Sequence, residues 1–214
     1  MRILNLYAGI GGNRKLWGDT HEVTAVELDP KIASIYHDFF PQDKIEITDA
    51  HKYLLEHYME FDFIWSSPPC PTHSRIRNEA GVGRGQNKPV FPDMRLYEEI
   101  IFLQHMYKLE NSGFKGKYVV ENVISYYDPL IKPRKLAEHY FWTNFPIREI
   151  KRKSRGHFEG IDKLKAIKGF DLSGYTGIDK NQILRNCVEP ETGLHILNEA
   201  LEVKQIIGNQ INLV

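Results

Sequence analysis

The sequence predicts an α/β fold with a mostly parallel central sheet, and three observations predict it. Short apolar runs of strand type, at residues 2–8, 22–27, 61–66 and 117–123, alternate with stretches of helical character. The first run enters a glycine cluster, Gly9-Ile10-Gly11-Gly12, followed by a short helix, which is how doubly wound folds begin. Consecutive strand ends then carry chemistry: the glycines after the first, Glu27 after the second, Asp49 after the third, Cys70 after the fourth. In open α/β sheets ligands collect beyond the carboxyl ends of the strands.

Taken in order, the glycine cluster lets backbone approach a ligand closely, and the helix over 13–17 favours polar or anionic groups at its start. A plain tight turn is the alternative reading of those glycines. The second strand ends in Glu27, and Asp29-Pro30 starts a helix through Phe39. An acid there is the usual acceptor for a ribose diol, and otherwise a solvated strand end. Residues 45–47 form a third strand, followed by Asp49 and a helix from Ala50 to about Tyr58. Glycines, acid and acid at three successive strand ends argue for a nucleoside-containing cofactor better than any one of them does.

The fourth strand runs into Ser66-Ser67-Pro68-Pro69-Cys70. Two prolines fix successive φ angles and hold Ser67 and Pro68 extended, so Cys70 sits on a stiff, non-helical support. A buried structural cysteine is the competing reading. Residues 71–92 hold Ser74, Arg75, Arg77, Arg84 and three glycines without sustained periodicity, a functional or disordered loop by its length. Asp93 is expected to cap an amphipathic helix with an apolar stripe of Leu96, Ile100, Leu103 and Met106, ended by Asn111-Ser112-Gly113. The strand at 117–123 delivers Glu121, a charge inside an apolar run. Tyr140-Phe141-Trp142 reads as another strand. The basic run from Arg148 to Arg155, with Lys151 and Arg152, is a duplex-contact candidate or a solvated face. Residues 158–181 are expected to be an appended region with little core, before a helix from about Gly193 to Ile207.

Composition narrows the class. The 214 residues hold 28 basic and 28 acidic side chains and 42% hydrophobic residues, a globular balance in which any nucleic-acid face must be local. No apolar run approaches the ~18 residues that span a bilayer. The N-terminus leads straight into a strand and does not read as a signal peptide. Cys70 and Cys187 make no disulfide framework and lack partners at zinc spacing, so a reducing, cytoplasmic setting without structural metal is expected. Cys187 is expected to be a packing residue.

These pieces, in this order, resemble the DNA cytosine-5 methyltransferase family. The resemblance rests on residues 7–12, Glu27, Asp49, 67–70, Ser74-Arg75, Asp93, Arg95, Leu96, 121–123, 140–144 and Gly208-Asn209. It implies a Rossmann-like, S-adenosylmethionine-dependent methyltransferase fold with a small appended substrate region. The expected division is a catalytic domain at 1–147, a reduced target-recognition region at 148–192 and a returning segment at 193–214. It implies Cys70 as covalent nucleophile and Glu121 as the acid on the cytosine ring. It implies S-adenosylmethionine held by Tyr7, Ala8, Gly9, Ile10, Gly11, Glu27, Leu28, Asp49, Ala50, Pro69 and Asn209. Double-stranded DNA is the implied substrate, met by Ser74, Arg75, Arg77, His139, Lys151 and Arg152, with Arg75 a candidate activator of the thiol. The short recognition region is expected to read a short or degenerate target, the alternative being that a second subunit or partner completes the interface. Alignment on Tyr140-Phe141-Trp142 puts Ala137 and His139 where the family carries arginines. An RNA-directed enzyme and a non-catalytic DNA-binding relative are the alternatives.

Overall fold

The computed structural model describes residues 1–149 and 160–211. Among these residues seven strands form one sheet: β1 (Arg2–Leu6), β2 (Glu22–Val26), β3 (Lys44–Glu46), β4 (Phe63–Ser66), β5 (Lys117–Val123), β6 (Arg134–Leu136) and β7 (His139–Thr143), in the order β3-β2-β1-β4-β5-β7-β6. The first five are mutually parallel, and β7 pairs antiparallel with both β5 and β6. Parallel strands need both faces covered, which is why β4 is buried at all four residues.

Alternation along the strands divides the core. Leu4, Leu6, Ile64, Val120 and Trp142 meet α2 (Ala50–His57) and α3 (Arg95–Lys108), through Tyr53, Leu54, Leu96, Ile100 and Leu103. On the other set, Ile3, Val23, Phe63, Trp65 and Val119 pack with Trp17, Phe145 and α6 (Pro190–Ile211), through Ile196, Leu197 and Ala200. Ala25 packs with α1 (Pro30–Phe39), α4 (Ile161–Lys168) and α5 (Lys180–Asn186).

That last cluster corrects the expectation of little core in residues 158–181. Phe170, Leu172 and, from α5, Leu184 are fully buried against Ile35, Tyr36 and Phe40 of α1 and its end. Residues 160–181 form a packed layer whose apolar residues are too widely spaced in sequence to show a period. Asp93 is corrected too: Met94 holds the cap position of α3, and Asp93 stands one residue outside it, accepting from the Arg95 backbone and side chain. The last helix starts earlier and runs longer than expected, from Pro190. The 71–92 loop contains a π-helical turn, Ile76–Val82, and its neck is closed by a bond from Asp93 N to Thr72 Oγ1.

Behind the glycine turn, Arg14 is 1% exposed and pairs bidentately with Asp43 at 2.8 and 2.9 Å. Tyr36 donates to the same carboxylate, and Phe40 lies under the guanidinium. This anchor leaves no room beside Gly11, which has φ +83 and whose added Cβ would stand 2.3 Å from Phe40 Cε2 and 2.9 Å from Tyr36 Cε2. Gly9 has φ +55, but its added Cβ would meet nothing within 4 Å. Gly11→Ala is therefore expected to cost about 2–4 kcal/mol in urea unfolding, and Gly9→Ala only the left-handed backbone penalty of about 1–2 kcal/mol. Equal losses would contradict the packing assigned to Gly11.

Candidate active site

Parallel pairing puts the C-terminal ends of β1, β2, β3, β4 and β5 along one edge, and the chemistry-bearing residues gather there. After β1, Tyr7 adopts φ +55, Ala8 and Ile10 are buried, and Gly9 opens on free space. After β2, Glu27 accepts from Gly9 N at 2.9 Å and from Asp29 N at 3.0 Å, so this carboxylate ties the first turn to the second. Leu28, next to it, is exposed. After β3, Asp49 caps α2 by accepting from Lys52 N, and its second oxygen lies 4.0 Å from Arg95. Ala50 is buried in the first turn of α2.

This set fits a nucleoside cofactor. A turn whose Gly9 opens on free space, with carboxylates at two successive strand ends, matches the hydroxyls of a ribose and an exocyclic amine, and both oxygens of Glu27 keep a lone pair for them.

The β4 end is fastened to β5. Asn122 Nδ2 donates to Pro68 O at 2.9 Å, and Ser67 Oγ donates to Glu121 Oε2 at 2.8 Å while accepting from Trp65 Nε1. Pro69 is exposed. Cys70 O accepts from His73 N and Ser74 N, so the chain turns helical directly after the cysteine. His73 is buried and bonded to Tyr127, and its backbone carbonyl accepts from Tyr126 N, pinning this turn to the segment after β5. Ser74 bridges Ser125.

Glu121 is 5% exposed, and its other oxygen lies 3.5 Å from His139 Nε2. β7 brings His139 there by pairing it opposite Val123, and Ala137, at φ +51, makes the tight turn before it. Half-buried Cys70 is thus set beside a carboxylate. Burial and the Glu121 charge push its thiol up to about 11. Arg75, expected as a cationic activator, is exposed and is not among the influences on that thiol. Arg77 lies within the 71–92 loop and donates to Lys88 O. Lys151 and Arg152 lie outside the described residues, as does the side chain of Asn209 in the last turns of α6. Cys187 is buried on the far side of the glycine turn, its Sγ where a Cβ on Gly12 would stand, and burial pushes its thiol up to about 12.

Sequence reasoning missed one group at this edge, Glu99 of α3. It is 1% exposed and accepts from Tyr7 Oη at 2.6 Å and from Ser66 Oγ, with His51 Nδ1 at 3.0 Å. Its position among Leu96, Ile100 and Leu103 was the available signal: an acid on an apolar helical stripe. A cavity of about 390 Å³ opens between α1 and the α4–α5 connection, but its lining (Pro30, Lys31, Ser34, Ile35, Tyr175, Thr176, Ile178) includes none of these groups.

Among solved structures, a DNMT2 variant from Spodoptera frugiperda is 25% identical, over 57% of this chain and 35% of that one, at a TM-score of 0.36. EhMeth, a methyltransferase of Entamoeba histolytica, is 12% identical over 78% and 66%, at 0.41. A prophage-encoded putative DNA modification methyltransferase from E. coli is 17% identical over 58% and 32%, at 0.37. The chain thus spans about a third of the length of the first and last of these. No similar sequence was found among curated proteins. Residues 1–114, more than half of the chain and including the glycine turn, Glu27, Asp49 and Cys70, match the profile described as C-5 cytosine-specific DNA methylase. The chain belongs to that family, whose methyl donor is S-adenosylmethionine.

Proposed function

We propose that this protein methylates carbon 5 of cytosine in DNA, with Cys70 as covalent nucleophile and Glu121 as the acid on the ring. The observation that carries the reading is the fastening of the Pro68-Pro69-Cys70 turn to β5, which holds a thiol and a buried carboxylate on one support. Bound S-adenosylmethionine supplies an electrophilic methyl group; Glu27 and Asp49 would hold its ribose and adenine, with Tyr7 and Gly9 beside the remainder.

Carbon 5 of cytosine is a weak nucleophile. Attack of the Cys70 thiolate on carbon 6 forms an Sγ–C6 bond and moves the ring electrons to carbon 5. The proton that the Cys70 thiol gives up is taken by Glu121 and passed to ring nitrogen 3 as that charge develops. With the methyl group on carbon 5, loss of the carbon 5 proton to a base and return of the nitrogen 3 proton to Glu121 restore the ring as the Sγ–C6 bond breaks and Cys70 leaves as thiolate. Like-charge coupling gives the free protein a reason to keep the thiol protonated. Once Glu121 shares its charge with the base, one of the two influences raising the thiol is relieved. Carbon 6 is out of a thiol's reach inside a stacked duplex, so the target cytosine must swing out, as it does for base-modifying enzymes generally, methyltransferases among them. The closed-neck loop at 71–92, with arginines and a 94% exposed Phe91, is the segment that would cover it.

A duplex carrying 5-fluorocytosine tests the covalent step, because fluorine does not leave as a cation. Wild-type protein with S-adenosylmethionine is expected to form a stable adduct, Cys70→Ser none, and Glu121→Gln an adduct at least about tenfold more slowly. Trapping through Cys187, or on an RNA oligonucleotide but not on DNA, contradicts the proposal.

The free thiol gives a pH test. With its folded value raised to about 11, Cys70 stays almost wholly protonated at pH 7. Alkylation of Cys70 by iodoacetamide, followed by mass spectrometry of the peptide, is expected to speed up about tenfold per pH unit between about 7 and 10. A plateau below about pH 8 would show a thiol already activated without substrate.

A further inference from the structure

We propose that Glu99 is a positioning residue for the methyl-donor site, acting by fixing Tyr7; this rests on the reading of that site given above. No ordinary surface role accounts for a carboxylate 1% exposed inside an apolar stripe. Its three partners belong to elements that end at the proposed site. Tyr7 follows β1, Ser66 is the last residue of β4, and His51 stands in the first turn of α2, two residues after Asp49. One acceptor thus joins the donor turn, the start of the nucleophile turn and the helix that Asp49 caps.

The contact with Tyr7 matters most. Tyr7 has φ +55, a conformation L residues adopt only when their surroundings hold them in it. Its ring packs against the core face shared by α2 and α3, and its hydroxyl bond to Glu99 fixes the outer end. Two residues on, Gly9 opens on free space and donates to Glu27. The carboxylate is a pure acceptor, matched to two hydroxyl donors and a ring N–H. Glutamine at this position keeps the shape but removes the charge: its oxygen accepts from Tyr7 and His51 in weaker, neutral bonds, and its amide can only donate, to Ser66 Oγ. The ring of Tyr7 is then held less firmly, and the order it lent the neighbouring turn must be regained when ligand binds.

The test is calorimetry with S-adenosylhomocysteine on the full chain, using wild type, Glu99→Gln, Tyr7→Phe and the double variant. Glu99→Gln and Tyr7→Phe are each expected to raise Kd about tenfold at unchanged stoichiometry, and the double variant to be no weaker than the worse single. A purely structural role lowers the binding-competent fraction, read as stoichiometry, and leaves Kd alone. Wild-type Kd in Glu99→Gln, or effects of the two substitutions that multiply in the double variant, overturns the inference while leaving the donor site intact. If Glu99→Gln does not fold, Tyr7→Phe decides: undiminished affinity there overturns it equally. No binding by wild-type protein overturns the donor-site reading and this inference together.

Discussion

Parallel pairing of β1 with β2 and β4, and of β4 with β5, is the constraint on which the rest of this structure depends. It leaves every one of those strands ending at the same edge, so successive turns share one surface without any long-range recognition between them. The sheet cannot supply the fastening of those turns, because backbone ladders stop at the strand ends. Side chains take over there: Glu27 between the first and second turns, Asn122 and Glu121 between the fourth turn and β5, and Glu99 between the first turn, β4 and α2.

These fastenings are mostly buried and carry charge, which gives them their rigidity. A buried carboxylate with satisfied oxygens tolerates little displacement of its donors, because an unmet bond in the interior costs about 1–3 kcal/mol or more. Arg14 and Asp43 do the same service below the glycine turn, where the close approach of Phe40 and Tyr36 demands glycine at position 11. The consequence of such an arrangement is a thiol poorly ionised in the free protein, since burial and Glu121 act on it in the same direction. Chemistry at Cys70 then depends on what the substrate does to Glu121.

Much of this was legible in the sequence. Strand-type runs that each ended in glycine, acid or Pro-Pro-Cys gave away the parallel sheet and its edge, since periodicity and turn chemistry agreed at every step. Partners across the edge were not legible, because they depend on which helix face meets which strand. Glu99 lay in plain view on the stripe of Leu96, Ile100 and Leu103, yet only the packing of α3 against β1 and β4 brings Tyr7 and Ser66 to it. Phe170, Leu172 and Leu184 were hidden for a similar reason: isolated apolar residues in a polar stretch acquire a core only when α1 supplies the other half. Asp93 carried the right residue type for a cap but stood one position early, where the Arg95 guanidinium binds it.

Everything proposed for Cys70 and Glu121 turns on which atom receives the methyl group, and on which kind of nucleic acid. The direct measurement is mass spectrometry of nucleosides from unmethylated duplex DNA, and from RNA of the same sequence, after incubation with protein and isotopically labelled S-adenosylmethionine. Labelled 5-methyldeoxycytidine from the DNA is the expected result. Label in N4-methyldeoxycytidine, in 5-methylcytidine from RNA alone, or in no nucleoside at all would contradict it.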